Sequence, residues 1–166
     1  MSMEGQCGWC GRAFDRARTG RPRRFCSARC RVAASRCAIP LAMRSRTAWV
    51  RCDGKRPITL AGAPASSTDP GTWSGWSQVR RATAGDGFGT MLGDGLGCWD
   101  LDHFDDQGAR AFIDRIDEPI IFAERSVSGY GFHIFVRTDE APGRRTGNIE
   151  FYSRHRFIRV TGDQFV

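Results

Sequence analysis

The chain has 166 residues, with 25 basic and 18 acidic side chains and a formal net charge of +7. This length accommodates one full domain and a small module, but not two ordinary domains. No uncharged apolar stretch reaches about 18 residues, and the N-terminus lacks a basic segment followed by an apolar one, which argues against a membrane-spanning helix and an ordinary secretion signal. We therefore expect a cytoplasmic protein with no membrane partner.

The positive charge is concentrated at the N-terminus. Residues 1–56 hold 14 basic and 3 acidic residues, whereas residues 57–166 hold 11 and 15. A solvated basic tail is one explanation, but the same segment is patterned with cysteines, which favours an arm that binds a polyanion. Arginine supplies 24 of the 25 basic residues, and its planar guanidinium suits bidentate contact with phosphate.

Four of the seven cysteines form two close pairs within residues 1–36. Two residues separate Cys7 from Cys10, three separate Cys26 from Cys30, and 15 lie between the pairs. Four thiolates at such spacing predict a closed tetrahedral site for structural Zn²⁺, and free thiols in an irregular arm are the alternative. The segment has so little apolar content that it could hardly fold without a metal, which favours zinc.

The predicted elements follow a linker at residues 37–47. Alternation of apolar and polar side chains predicts strands over 47–52, 88–92, 97–102, 119–126, 131–138, 147–153 and 156–162. The second and third of these are joined across the turn GDG as in a hairpin. Helices are predicted near 74–84 and over 107–117, and Asp105 or Asp106 is available to cap the latter. Residues 48–166 thus form an α+β body with one core.

An acidic pair lies in the predicted strand GCWDLD. Asp100 and Asp102 are two residues apart, so strand alternation places both on one face. Two carboxylates this close repel each other unless a cation lies between them, and Glu150 on the predicted strand NIEFY supplies a third acid. Mg²⁺ and Mn²⁺ prefer carboxylate and water ligands, and a pair of such ions can activate a hydroxyl and stabilise a leaving pyrophosphate. The acids predict a divalent metal site, although D-x-D by chance is common.

The segment SVSGYGFHIFV (126–136) is a glycine-punctuated turn that enters a strand. His133 lies on the face opposite Phe132 and Ile134. If its strand adjoins that of Asp100, His133 faces the metal and can donate to a phosphate oxygen. A structural histidine is the alternative.

Three arginines follow Glu150 in FYSRHRFIRVTG: Arg154, Arg156 and Arg159. Alternation places the first two on one face and the third on the other. Guanidinium groups beside a metal site suit a triphosphate. The alternative is an exposed edge strand that charge keeps soluble.

Five stretches carry a family resemblance: GKRPIT, DPGTWSGW, GFGTMLGDGLGCWDLDH, ERSVSGYGFHIF and IEFYSRHRFIRVTG. In this order they resemble the archaeo-eukaryotic primase superfamily, specifically the primase-polymerase domain of phages and plasmids, from about Trp49 to Phe165. The stretch GRPRRFCSARCRVAASR resembles the second half of small zinc-binding modules of actinobacterial and phage proteins. The paired cysteines Cys7, Cys10, Cys26 and Cys30 match the four cysteine positions of such modules. Tyr130 stands where relatives often carry a basic residue.

The resemblance implies a primase-type catalytic core, an RRM-like sheet flanked by helices. Such a core copies a single-stranded DNA template with NTP or dNTP in the presence of Mg²⁺ or Mn²⁺, and a replicative helicase is a candidate partner. By position, Asp100, Asp102 and Glu150 are the implied catalytic metal ligands. The implied nucleotide-binding residues are Ser128, Gly131, His133 and Arg156.

Two other functions compete with this interpretation. CWDLDHF superficially resembles the D-x-D motif of haloacid-dehalogenase phosphatases, although Phe104 stands where that motif normally has Thr or Val. A metal-dependent phosphatase or nuclease is therefore one alternative. The other is a non-catalytic DNA-binding replication module with a zinc arm. Release of phosphate without a template would favour the former, and tight DNA binding without nucleotide incorporation the latter.

Overall fold

The structure is a computed structural model that describes residues 3–7, 12–16 and 23–166. Its class is α+β, with antiparallel sheets and few helices. The chain divides into two compact units, Met1–Cys37 and Ala38–Val166. Within the described ranges, none of the helices has the length and apolar character needed to cross a membrane.

The N-terminal unit contains a hairpin and a helix. Strand β1 (Met3–Gln6) pairs antiparallel with β2 (Ala13–Arg16), and helix α1 spans Ala28–Ser35. The buried side chains described here include Cys7 and Ala34. Both are small, so hydrophobic burial by these side chains contributes little to the stability of this unit.

The second unit contains short helices and two sheets. Its helices are α2 (Leu41–Arg44), α3 (Trp76–Val79) and α4 (Asp106–Ile113), with a 3₁₀ turn at Pro70–Thr72. Its strands are β3 (Trp49–Asp53), β4 (Arg56–Ile58), β5 (Gly87–Met91), β6 (Leu96–Asp102), β7 (Ile120–Arg125), β8 (Gly131–Arg137), β9 (Arg144–Thr146), β10 (Ile149–Tyr152) and β11 (Phe157–Val160).

The five-stranded sheet has the order β7-β8-β6-β10-β9. The apolar side chains on one face of this sheet pack against the apolar side chains of α4. The buried members of this core are Leu101, Ala109, Ala123, Phe132, Ile134, Val136, Phe151 and Phe165. Asp105 caps α4 as predicted, since its Oδ1 accepts a hydrogen bond from the backbone N–H of Gly108 at 2.7 Å.

The four-stranded sheet has the order β11-β5-β3-β4. Three aromatic rings pack together beside it, with Trp76 centred 4.7 Å from Trp49 and 5.1 Å from Phe88. Residues 37–47, predicted as a linker, contain α2 and the buried Met43. The carbonyl of Met43 accepts a hydrogen bond from the indole N–H of Trp49 at 3.0 Å, which ties α2 to β3.

Gly93 and Leu96 pair across the turn GDG, but the predicted hairpin does not continue into β5 and β6. β5 and β6 lie in different sheets, because β3 and β11 occupy both hydrogen-bonding edges of β5 while β8 and β10 occupy those of β6. Asp94 and Gly95 in the turn have positive φ, of 49° and 82°, as in a two-residue hairpin turn. Strands β4 and β9, each three residues long, were not predicted.

Candidate functional site

Three of the four predicted zinc ligands lie together. The Sγ atoms of Cys7, Cys26 and Cys30 are all within 4.8 Å of one another, and those of Cys26 and Cys30 are 3.6 Å apart. Thiolates on one tetrahedral Zn²⁺ at about 2.3 Å would be separated by roughly 3.8 Å, so the spacing is compatible with a shared metal ion. Cys10 lies outside the described residues. The cluster could therefore bind a metal ion.

Local structure explains how these thiols meet. Cys7 directly follows β1, and its N–H donates to the carbonyl of Arg12 at 2.9 Å, which closes the hairpin. Ser27 is the N-cap of α1, since its Oγ accepts from the N–H of Cys30 at 3.2 Å. The cap holds Cys26 just before the helix and Cys30 in its first turn, a spacing that brings both thiols to one end of the helix.

Polar side chains form a row across the other face of the five-stranded sheet. The strand register aligns one residue from each strand, in the order from β7 to β9: Glu124, His133, Asp100, Glu150 and Arg145. We call these five residues the polar row. Residues directly opposite each other on paired strands project to the same face, so side chains that are distant in the sequence become neighbours.

Asp102 lies beside the polar row, on the same face as Asp100 because both belong to β6. It pairs across the sheet with Gly131 of β8. A Cβ atom at Gly131 would be 2.5 Å from the carbonyl oxygen of Leu101, so a larger residue would push the two strands apart. Gly131 therefore allows β8 to approach β6 closely next to the acid pair.

His133 lies between two carboxylates. Its Nδ1 is 3.0 Å from Oε1 of Glu124, and its Nε2 is 3.8 Å from Oδ1 of Asp100. His133 was predicted to face the site of Asp100 if their two strands were neighbours, and this condition is met. Glu124 was not predicted, and it is fully buried.

The pKa of Asp100 is raised above its usual value. Burial is the main cause, and the nearby carboxylates of Asp102 and Glu150 add to it, while His133 and Lys55 act in the opposite direction. Crowded, partly desolvated carboxylates of this kind are stabilised by a cation. The polar row therefore has the electrostatic character expected of a cation-binding position.

Glu150 is surrounded by donors. Its Oε1 is 3.2 Å from Arg145, and its Oε2 is 3.7 Å from Arg156 and accepts a hydrogen bond from the hydroxyl of Tyr152 at 2.9 Å. Burial and this hydrogen bond raise the pKa of Tyr152, which keeps it a donor. The guanidinium of Arg156 also stacks on the Tyr152 ring at 4.4 Å. The positive charges of Arg145 and Arg156 thus offset the negative charge of Glu150, the third predicted acid.

The loop between β7 and β8 carries the predicted residue Ser128. Its Oγ is 3.0 Å from Oγ of Ser126 and accepts from the N–H of Tyr130 at 3.3 Å. The loop is closed by the N–H of Ser126, which donates to the carbonyl of Gly131 at 2.8 Å. Tyr130 is one of the most exposed large side chains described, at 74%. Hydroxyl groups therefore lie at the base of the loop and an aromatic ring at its tip.

A cleft of about 620 Å³ brings these elements together. It is lined by Asp100, Asp102, His133 and Glu150 from the five-stranded sheet and by Ser126 and Ser128 from the loop. The basic side chains that line it are Lys55, Arg145, Arg156 and Arg159. The last of these is held by Asp86, whose carboxylate lies 3.1 Å away. Carboxylates and cationic side chains thus line one cavity, which suits an anionic ligand that binds with a metal ion.

The carboxylates fit a divalent cation by ligand type, but they do not converge as the cysteines do. Within residues 3–7, 12–16 and 23–166, Cys7, Cys26 and Cys30 are the only three or more potential ligands whose donor atoms all lie within 4.8 Å. Glu150 instead engages its arginines and tyrosine. A metal at this position would therefore require Glu150 to exchange these partners.

The sequence patterns missed three charged residues of the site: Lys55, Glu124 and Arg145. The sequence contained one signal for Glu124, which is the only acid in the apolar stretch PIIFAERS. It lies two residues after Phe122, so strand alternation places the two side chains on the same face. Lys55 directly precedes β4, and Arg145 belongs to β9. Both strands are too short for an alternation of apolar and polar side chains to be recognised in the sequence.

No protein-family model matches the sequence, and no curated protein matches it. The likeness to primases therefore depends on the five stretches quoted above and on their order. Four of the residues that the likeness singles out, Asp100, Asp102, His133 and Glu150, line the same cleft. Ser128 and Arg156 line it too, and Gly131 adjoins it through β8.

Proposed function

We propose that the protein is a template-directed nucleotidyltransferase of the primase-polymerase type, which acts on single-stranded DNA in phage or plasmid replication. The observation that carries the proposal is the polar row. Asp100, His133 and Glu150 come from three stretches of sequence and lie side by side on adjacent strands, with Asp102 next to them. Three acids and a histidine in one cleft match the residues that the resemblance assigns to metal and nucleotide.

The cleft supports this proposal by size and by charge. Its volume of about 620 Å³ is within the range of small-ligand sites. A nucleoside triphosphate needs cations for its phosphates, and Arg156, Arg159 and Lys55 line the cleft together with the acids. The five-stranded antiparallel sheet with α4 on its apolar face is compatible with an RRM-like core of the primase type.

Each residue has a proposed role. Asp100, Asp102 and Glu150 would hold Mg²⁺ or Mn²⁺, which when bound supplies charge stabilisation and activation of the attacking hydroxyl. His133 and Arg156 would contact the β and γ phosphates, and Ser128 would contribute its hydroxyl at the loop. The protein acts by positioning and by neutralising charge.

In the N-terminal unit, Cys7, Cys10, Cys26 and Cys30 would bind structural Zn²⁺. The metal would replace the hydrophobic core that this unit lacks among its described side chains. Exposed arginines flank the thiols in and around α1: Arg23, Arg24, Arg29, Arg31 and Arg36. They would contact template phosphates, so that DNA affinity decreases steeply with salt.

Elemental analysis tests the zinc proposal. We expect about one zinc per chain, and almost none in the double variant Cys26→Ser with Cys30→Ser, because two ligands of a tetrahedral site are then lost. The variant Cys52→Ser with Cys98→Ser, which changes two buried cysteines of the second unit, is the matched control and should keep its zinc. A wild-type zinc content near zero would contradict the proposal.

Template-directed incorporation tests the main proposal. Labelled dNTPs or NTPs are supplied with a single-stranded template, with and without primer, in Mg²⁺ or Mn²⁺. We expect incorporation by the wild type and none by Asp100→Ala with Asp102→Ala. The matched control, Asp114→Ala with Asp117→Ala, removes two exposed carboxylates beyond α4 and should incorporate normally.

Three results would contradict the assignment. Incorporation that survives loss of both Asp100 and Asp102 would show that these acids do not catalyse it. Phosphate release from a monoester without template, with no incorporation, would identify a phosphatase. Tight DNA binding without incorporation in either metal would identify a non-catalytic replication module.

A further inference from the structure

Glu124 is a buried carboxylate that neither the sequence patterns nor the resemblance assigns to the site. Its side chain is 0% exposed, yet it is surrounded by donors. The N–H of Thr161 lies 3.1 Å from both of its oxygens, and the N–H of Gly162 lies 2.8 Å from Oε2. Nδ1 of His133 lies 3.0 Å from Oε1. Burial of a carboxylate is tolerated only with such partners.

These partners fix the direction of the hydrogen bond to His133. The two backbone groups can only donate, so both oxygens of Glu124 act as acceptors. With both oxygens already engaged as acceptors, Glu124 accepts from His133 as well, and Nδ1 carries the proton in this bond. The other ring nitrogen, Nε2, then faces Asp100 at 3.8 Å and the cleft.

We propose that Glu124 is the positioning residue of the site, which holds the proton of His133 on Nδ1 and presents Nε2 to the phosphates of the nucleotide. The orientation follows from the contacts of Glu124, while its use in nucleotide binding rests on the proposed function. The ring nitrogen that remains to face a phosphate is then Nε2, and the bond from Nδ1 to Glu124 holds the ring in that direction.

The position of Glu124 explains why this orientation is rigid. Glu124 belongs to β7, at the edge of the five-stranded sheet, whereas Thr161 and Gly162 follow β11 of the other sheet. The hydroxyl of Thr161 also donates to the carbonyl of Arg125 at 2.7 Å. Contacts from both sheets thus hold Glu124 in place, and its hydrogen bond in turn holds the imidazole ring of His133 in the cleft.

The substitution Glu124→Gln reverses the hydrogen bond to His133 and keeps the backbone hydrogen bonds to the Oε2 position, while the second contact of the Thr161 N–H, to Oε1, is lost. The amide oxygen of the variant can still accept from the N–H groups of Thr161 and Gly162, which cannot change. Its NH₂ group must then face Nδ1 of His133, which becomes an acceptor, so the proton of the neutral ring moves to Nε2. Glu118→Gln, which changes a carboxylate 3.8 Å from Arg144, is the matched control.

Nitrogen NMR of the full chain tests the orientation without reference to activity. The chain has three histidines, so His103→Gln and His155→Gln assign the signal of His133. In long-range ¹H–¹⁵N spectra at alkaline pH, we expect a protonated Nδ1 in the wild type and in Glu118→Gln, and a protonated Nε2 in Glu124→Gln. A wild type protonated on Nε2, or a tautomer unchanged by Glu124→Gln, would overturn the orientation. The wild-type spectrum alone suffices if the variant does not fold.

Steady-state incorporation, with primed template and dATP in Mg²⁺, tests the role in the reaction. We expect Glu124→Gln to raise the KM for dATP by about tenfold, as loss of an outer partner of a functional histidine commonly does, with a smaller change in kcat. Glu118→Gln should match the wild type. An unchanged KM in a variant whose tautomer has moved would overturn the positioning role. Absence of incorporation in the wild type would instead contradict the proposed function and leave the NMR result standing.

Discussion

The two faces of the five-stranded sheet are made from the same strands and have opposite physical character. Along β6, Leu101 packs into the core and Trp99 contacts Phe112 of α4, whereas the alternate residues Asp100 and Asp102 face the cleft. The first face gains free energy by burying apolar surface, and the second holds Asp100, whose pKa is raised by burial and by the neighbouring carboxylates. One step along a strand therefore separates residues that stabilise the fold from residues that form the site.

The largest expected effect is on the polar face. Asp100→Asn should reduce incorporation by roughly 10³-fold, because it removes a charge from the metal-binding set. It should not destabilise the protein. Burial and neighbouring acids raise the pKa of Asp100, so the folded state binds this proton more tightly than the unfolded chain, and stability is lost as pH rises through the ordinary carboxyl pKa to the raised one.

The Asn side chain cannot ionise, so the variant avoids the loss of stability that ionisation of Asp100 causes at neutral pH. We expect Tm of Asp100→Asn at pH 7 to equal or exceed that of the wild type, by about 2 °C. At a pH of about 3, below the ordinary carboxyl pKa, both proteins are neutral at this position and the difference should vanish. Thermal unfolding at the two pH values measures this, and a Tm several degrees below that of the wild type at pH 7 would contradict it.

The neighbouring residue on the apolar face should behave in the opposite way. Leu101 is 0% exposed, so Leu101→Ala should cost about 3 kcal/mol of unfolding free energy and lower Tm by roughly 6–12 °C. Leu41→Ala is the same substitution at a side chain that is 47% exposed, and it should change Tm by little. Equal effects of the two substitutions in denaturant titrations would show that the core does not lie where α4 meets the sheet.

Alternation predicted these faces but not which strands are neighbours. The strands of Asp100 and His133 were predicted from local pattern, and both exist as β6 and β8. The expected pairing of β5 with β6 was wrong, because a turn sequence cannot reveal that other strands will occupy both edges of each. The adjacency of Asp100 and His133 could be stated only as a condition.

Glu124 shows where the prediction of the site stopped. An acid within an apolar strand is usually exposed, and the backbone N–H groups that accommodate this one come from Thr161 and Gly162, 37 and 38 residues later. No local pattern contains that information, because burial of a charge depends on tertiary partners. Strand alternation had already singled out the three acids and His133, and the resemblance then implied a role for each of them.

A smaller effect should separate two arginines near the cleft. Arg156 lines it and is held by Glu150 and the ring of Tyr152, whereas the exposed Arg154 is not part of its lining. We expect Arg156→Ala to raise the KM for nucleotide by about tenfold through loss of a phosphate contact, equivalent to about 1.4 kcal/mol. Arg154→Ala should leave KM unchanged in the same incorporation assay. Equal values for the two variants would remove Arg156 from the site.

The smallest expected effect tests whether the two faces are independent. Asp105 caps α4, which covers the apolar face, so Asp105→Ala should cost about 1 kcal/mol and lower Tm by roughly 2–4 °C. Asp117→Ala, at an exposed position beyond the helix, should leave Tm unchanged. Because Asp105 caps the helix through the N–H of Gly108 and does not line the cleft, KM and kcat at a temperature well below Tm should match the wild type. A changed KM would mean that α4 also positions the acids, through β6, from the opposite side of the sheet.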